Sequence, residues 1–550
     1  MRKGRRTAVM SGGVALVALA AGVGAYALVD TFGRPDSPAQ RPEVTAVADG
    51  EETAGPVGAE ESAAAAETFL TAWAAGDPVA ASAVTDDPAA AQTALRAYAE
   101  DLGIAGLTVT PGSPAVDGAV PFSVTAVVAW GEEPEQRAEW SYESALTVAR
   151  GEVTGEPQVV WRPELLHPAL GEGQKLETAP AGEAAPVRVL DRDGGELTAA
   201  EHPALAGILT ELATRYEEHS GGTRAMAVRI ADASGETVQQ VQQLSEPVPG
   251  EVPTTIDPAV QRAAEAALKD TAHGALVALE PSTGAILAVV NAPADGFDTA
   301  LQGSYAPGST WKIVTAGMLI DAGLAAPGAA HPCPKFFEHG GWKFQNLNEM
   351  EIRGGTFAQS FAASCNTAFI SQAPQLADDR LAQYALSAFG IGQTWNTGVP
   401  SMDGTVPVES DAQMAAQLIG QAGVRANPMV MASVSATAST GQFRQPHLVP
   451  PDFDGRSLAR ADGLSPQTTQ SLRQLMNLTA TSGTAAAAMS GLGGDIGAKT
   501  GSAEVMDQEK PNAWFTAYRG DLAVAAVVPE SGHGGTVAGP LVAHVLRSAG

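Results

Sequence analysis

YAPGSTWKIVTAGML, residues 305–319, is the stretch from which the rest of the chain can be read. A Pro-Gly pair closes a turn, and Ile313, Val314, Ala316, Met318 and Leu319 then follow as an apolar run. That pattern predicts a helix starting near Ser309. On a helix, positions three apart share a face, so Ser309 and Lys312 are expected to approach each other. A serine hydroxyl is a weak nucleophile until a neighbouring base takes its proton. A lysine serves as that base when burial or a second cation lowers its pKa. The helix start also supplies free N–H groups for a developing oxyanion. Seen alone, the same residues fit an N-cap serine and a solvated lysine.

Two further short motifs lie downstream. Ser364-Cys365-Asn366 sits in an apolar run containing Phe357, Phe361, Phe369 and Ile370. Buried polar side chains there need hydrogen-bond partners. Lys499-Thr500-Gly501-Ser502, continued by Ala503-Glu504, predicts an edge strand lining a cleft. Gly501 lets a substrate backbone come close, while Lys499 and the hydroxyls of Thr500 and Ser502 attract a carboxylate. Each motif is common by chance.

Together, in the order SxxK, SxN, KTG and each in a fitting local context, they resemble the penicillin-recognising serine enzymes. The flanking words Thr254-Thr255-Ile256-Asp257-Pro258, Ser364–Phe369, Lys499–Glu504 and Ala513-Trp514-Phe515 are similar to the transpeptidase domain of class B penicillin-binding proteins. One departure is Phe297-Asp298-Thr299-Ala300, where that family usually carries Asn-Arg-Ala. The resemblance implies a D,D-transpeptidase acting on D-Ala-D-Ala stem peptides through a serine acyl-enzyme, and open to acylation by β-lactams. It assigns Ser309 as nucleophile and Lys312 as base. Ser364 and Asn366 relay protons and orient the substrate. Lys499, Thr500 and Ser502 hold the terminal carboxylate, with Gly501 among them as a substrate-binding position, and the Ser309 and Ser502 amides form the oxyanion hole. It implies no metal or organic cofactor. Rival readings are a D,D-carboxypeptidase or β-lactamase, a β-lactam sensor, and a non-catalytic scaffold.

Outward from these motifs, the chain of 550 residues is too long for one core, so a multidomain α+β fold is expected. Arg2, Lys3, Arg5 and Arg6 precede an uncharged stretch to Val29, which predicts a membrane anchor over 1–30 with the N-terminus cytoplasmic and the catalytic part outside. The alternative is a cleaved signal peptide. Residues 31–58, rich in Pro, Gly, Glu and Ala, read as a tether. Residues 59–165 predict two helices and then alternating strands, a small domain similar to the NTF2-like domains of one branch of the family. Residues 166–250 read as a linker (dimerisation-type) domain, and 251–550 as the transpeptidase domain, an α/β unit. A net charge of −29 argues against nucleic-acid binding. Scattered histidines without ligand spacing argue against a metal centre. Cys333 and Cys365 are the only cysteines, and in an exported protein they can pair or remain buried thiols. Asp86-Asp87 and Glu132-Glu133 lie in turn-like contexts rather than as a catalytic pair, so a separate membrane glycan polymerase is the expected partner.

Overall fold

The computed structural model describes residues 55–115, 118–131 and 136–549. The expected anchor, most of the tether and Glu132-Glu133 lie outside the described residues. No helix among the described residues is long and apolar enough to cross a membrane.

The N-terminal part opens with the helices Ala59–Ala74, Pro78–Ser82 and Pro88–Leu102. The last two each begin with an Asp-Pro pair whose carboxylate accepts first-turn N–H groups, as an N-cap and first-turn proline should. An antiparallel sheet follows in chain order: Ile104–Pro111, Ala119–Trp130, Gln136–Arg150 and Pro157–Val159. In the second strand Val120, Phe122, Val124, Ala126 and Val128 are buried, the period-two pattern of a half-buried strand. They meet Phe69, Leu70 and Trp73 of the first helix. Trp73 sets its edge against Tyr98 and Phe122.

The stretch from 166 to 250 is divided between its neighbours. Strands Lys175–Ala181, Ala225–Ala231 and Thr237–Gln243 form a three-stranded sheet. Its Leu176, Val228 and Ile230 join the N-terminal core. By contrast Val189, Leu205, Ile208, Leu212 and Tyr216 join the C-terminal core. The Tyr216 hydroxyl donates to the Gly398 carbonyl at 3.1 Å.

The C-terminal part is built on a five-stranded antiparallel sheet. Its order is Ile286–Ala292, Gly274–Leu279, Leu522–Val528, Asn512–Arg519, Ile496–Ala503. Strands from both ends of this region thus meet in one sheet. Helices cover both of its faces, so the strands Gly274–Leu279 and Leu522–Val528 carry no polar side chain. Ala275, Val277 and Leu279 enter one core, with helices Lys312–Asp321 and Pro428–Thr440. Leu276 and Ala278 enter the other, with helices Pro258–Leu268 and Ala538–Ser548. Besides its helices, the region from 320 to 488 holds the hairpin Phe336–His339/Trp342–Gln345.

Candidate active site

Ser309 lies in a single 3-10 turn, Gly308–Trp311, and Lys312 begins the helix behind it. Gly308 has φ +54°, and a Cβ there would come within 2.7 Å of the Ser502 carbonyl oxygen. The turn therefore lies directly against the edge strand Ile496–Ala503, and glycine is what permits the approach. Gly501 faces the same turn from the strand, with Pro307 and Thr310 about 3.0 Å from where its Cβ would sit.

Lys312 is fully buried. Its Nζ lies 2.9 Å from Ser309 Oγ, 2.8 Å from the Ser364 carbonyl oxygen and 2.7 Å from Asn366 Oδ1. Burial, reinforced by the positive charge of Lys499, holds its pKa well below the usual lysine range. Of its three partners, the carbonyl and the amide oxygen only accept hydrogen bonds. Asn366 is locked in that sense because its Nδ2 donates to the Gln345 carbonyl at 3.1 Å. A neutral Lys312 keeps both donated bonds, and its lone pair faces the one partner with a proton to give, Ser309.

Ser364 and Asn366 stand between helices Phe357–Ala362 and Thr367–Ile370, with Ser364 at φ +59°. Lys499 is also fully buried, and its Nζ donates to Ser364 Oγ at 2.9 Å and to the Thr500 carbonyl at 3.0 Å. Burial pushes its pKa down to about 7. The Phe361 ring lies 5.6 Å from Lys499 Nζ and the Phe369 ring 5.5 Å from Lys312 Nζ. Ser309, Lys312, Ser364, Asn366 and Lys499 thus form one hydrogen-bonded chain. Thr500, Gly501 and Ser502 line its edge.

Cys333 and Cys365 are joined in a disulfide closing an interval of 32 residues. Beside it, Asn346 is buried and was not singled out from sequence. Its Oδ1 accepts the N–H groups of Asn366 and Thr367 at 2.8 and 3.0 Å, and its Nδ2 donates to the carbonyls of Pro334 and Met350. It follows the unexpected hairpin, and no local motif marks it. Where the family usually has Asn-Arg-Ala, Asp298 caps the short helix Thr299–Gln302 and accepts from Asn291 Nδ2 at 2.9 Å. Burial raises its pKa. Among the described residues no group of three or more His, Cys, Asp or Glu side chains is placed to hold a metal ion.

Comparison with known proteins matches residues 274–547 to the family described as penicillin binding protein transpeptidase domain, and 61–174 to the NTF2-like N-terminal transpeptidase domain. The chain is 30% identical over 355 residues to the peptidoglycan D,D-transpeptidase PbpA of Mycolicibacterium smegmatis, covering 54% of this chain and 72% of that protein. It is 28% identical to the protein of the same name from Mycobacterium tuberculosis, covering 55% and 73%. Among solved structures, a chain from a study of a peptidoglycan synthase complex aligns with a TM-score of 0.56 at 22% identity, over 68% of this chain and 92% of that one. Pseudomonas aeruginosa PBP2 aligns with a TM-score of 0.53 at 24% identity, over 66% and 96%. At these identities the structural matches establish the shared fold alone.

Proposed function

The chain belongs to the penicillin-binding protein transpeptidases and is a serine-type peptidoglycan D,D-transpeptidase, and on that premise we propose that Ser309 is its nucleophile and Lys312 its general base. The observation that carries this assignment is the buried Lys312 amine, 2.9 Å from Ser309 Oγ, with its other two partners able only to accept.

Lys312 takes the Ser309 proton as Oγ attacks the carbonyl carbon of the penultimate D-Ala. The backbone N–H groups of Ser309 and Ser502 receive the oxyanion. Their segments are held side by side by the Gly308 contact. The proton then moves to the leaving D-Ala amine through the Ser364 hydroxyl, which Lys499 holds in place, and the C–N bond breaks. Thr500 and Ser502 grip the terminal carboxylate, with Gly501 leaving room for the peptide backbone. An amine of a second stem peptide attacks the acyl-enzyme by the reverse path, Lys312 removing its proton. Positioning supplies much of the rate, because every group sits on a buried element.

We further propose that residues 1–30 anchor the protein in the membrane with the catalytic part outside, that 59–165 and 251–550 are its NTF2-like and transpeptidase domains with 166–250 linking them through both cores, and that a membrane glycan polymerase supplies its strands. The basic start and uncharged stretch support the first of these. The test of the activity is a stem pentapeptide ending in D-Ala-D-Ala, offered with an amine acceptor. Cross-linked product from the wild type and none from Ser309→Ala supports the reading. Release of D-Ala with water as the only acceptor would make the protein a carboxypeptidase instead.

A further inference from the structure

Each of the two hydroxyls assigned to the carboxylate has a partner outside the family motifs. Thr500 Oγ1 lies 2.7 Å from Thr484 Oγ1, and Ser502 Oγ lies 3.2 Å from His533 Nδ1. His533 follows the strand Leu522–Val528 and precedes the helix Ala538–Ser548. Its backbone is fixed: the His533 carbonyl accepts the N–H groups of Thr536 and Val537, both at 3.1 Å. The next residue, Gly534, is pressed against the sheet so closely that a Cβ there would collide with the carbonyl oxygens of Trp514 and Gly501. Gly535 lies along the same side, its Cβ position 2.9 Å from the Thr484 carbonyl and 3.5 Å from Thr500 Cγ2. His533 itself is exposed, and so is its contact with Ser502.

A serine hydroxyl has one proton, and it rotates freely unless something occupies its lone pairs. If it donates to a neighbour, it cannot donate to a substrate. We propose that His533 is a positioning residue: its Nδ1–H donates to Ser502 Oγ, so that the single Ser502 proton is left to donate to the terminal carboxylate of the donor peptide or of a β-lactam. Thr484 stands in the same relation to Thr500. This inference rests on Thr500 and Ser502 being the carboxylate donors.

The test compares benzylpenicillin with its methyl ester, which keeps the β-lactam and removes the anion. The second-order acylation rate constant is measured by intact mass for wild type, Ser502→Ala, His533→Ala and His533→Asn. Asparagine places an N–H near the position of Nδ1. His533→Ala is expected to slow the free acid about tenfold, the scale of one hydrogen bond to a charged group, and to leave the ester within about twofold. His533→Asn should restore most of the loss. Equal losses on acid and ester, no loss at all, or an Asn variant as slow as Ala would overturn the role of His533. Ser502→Ala separates the two levels. If it too fails to distinguish acid from ester, the carboxylate assignment itself is wrong. If it distinguishes them and His533→Ala does not, only the inference about His533 falls.

Discussion

At the scale of the residue, the proposed chemistry rests on the two buried lysines, and their coupling is measurable. Burial, and secondarily the charge of Lys499, holds the Lys312 pKa well below the usual lysine range. Acylation needs neutral Lys312, so its rate rises with pH through the Lys312 pKa. Lys499→Met removes the neighbouring charge and raises that pKa, which moves the acid limb of the acylation profile to higher pH while lowering its plateau. A pH–rate series with a fluorescent penicillin checks this, and a limb that stays in place would show that the charges do not interact. Stability follows the same sign. The pKa of Lys499 is about 7 when folded and starts from 10.5, so the unfolded chain binds more protons between those values. Stability therefore rises with pH across that window, and Lys499→Met should flatten the rise. The lysines were legible in the sequence because each sits in a short motif. Asn346 and His533 were not, because the chain places them beside the motifs only after folding.

At the scale of the element, the site is a meeting of three pieces: a 3-10 turn, a loop between two helices, and an edge strand. Their local types follow from sequence, since an apolar run after Pro-Gly marks the helix and a Lys-Thr-Gly segment at the end of a late run marks the strand. Their contact does not, because it depends on Gly308 lying against Ser502. The hairpin Phe336–Gln345 was missed for a physical reason. Its strands have four residues each and none of them is fully buried, so alternation has too little length to show. The Cys333–Cys365 bridge ties the start of that hairpin region to Ser364 and Asn366. Closing a loop of this length stabilises the fold by up to roughly 3–4 kcal/mol in the chain-entropy picture. Cys333→Ser with Cys365→Ser should lower the denaturation midpoint and slow acylation, because the oxygen of Asn366 that orients Lys312 is released. A double variant that is less stable yet acylates at the wild-type rate would place the bridge outside catalysis.

At the scale of the whole molecule, the proposed role of the N-terminal half is structural. Asp86 Oδ1 accepts the Trp161 N–H at 2.7 Å, and Asp87 caps the helix Pro88–Leu102. Both carboxylates are thus engaged in holding backbone. Purified full-length protein is accordingly expected to make no glycan polymer from lipid-linked precursor by itself, and robust polymer in that assay would reassign this half. Domain order was legible from changes in composition and periodicity. The division of 166–250 between two cores was not, because the apolar residues of that stretch do not reveal which neighbour they face. The central claim, that Ser309 is the acylated nucleophile, is tested most directly by intact mass after incubation with penicillin. The wild type should gain one penicilloyl group, mapped by digestion to the peptide containing Ser309, and Ser309→Ala should gain none. An undiminished adduct on Ser309→Ala would contradict the account.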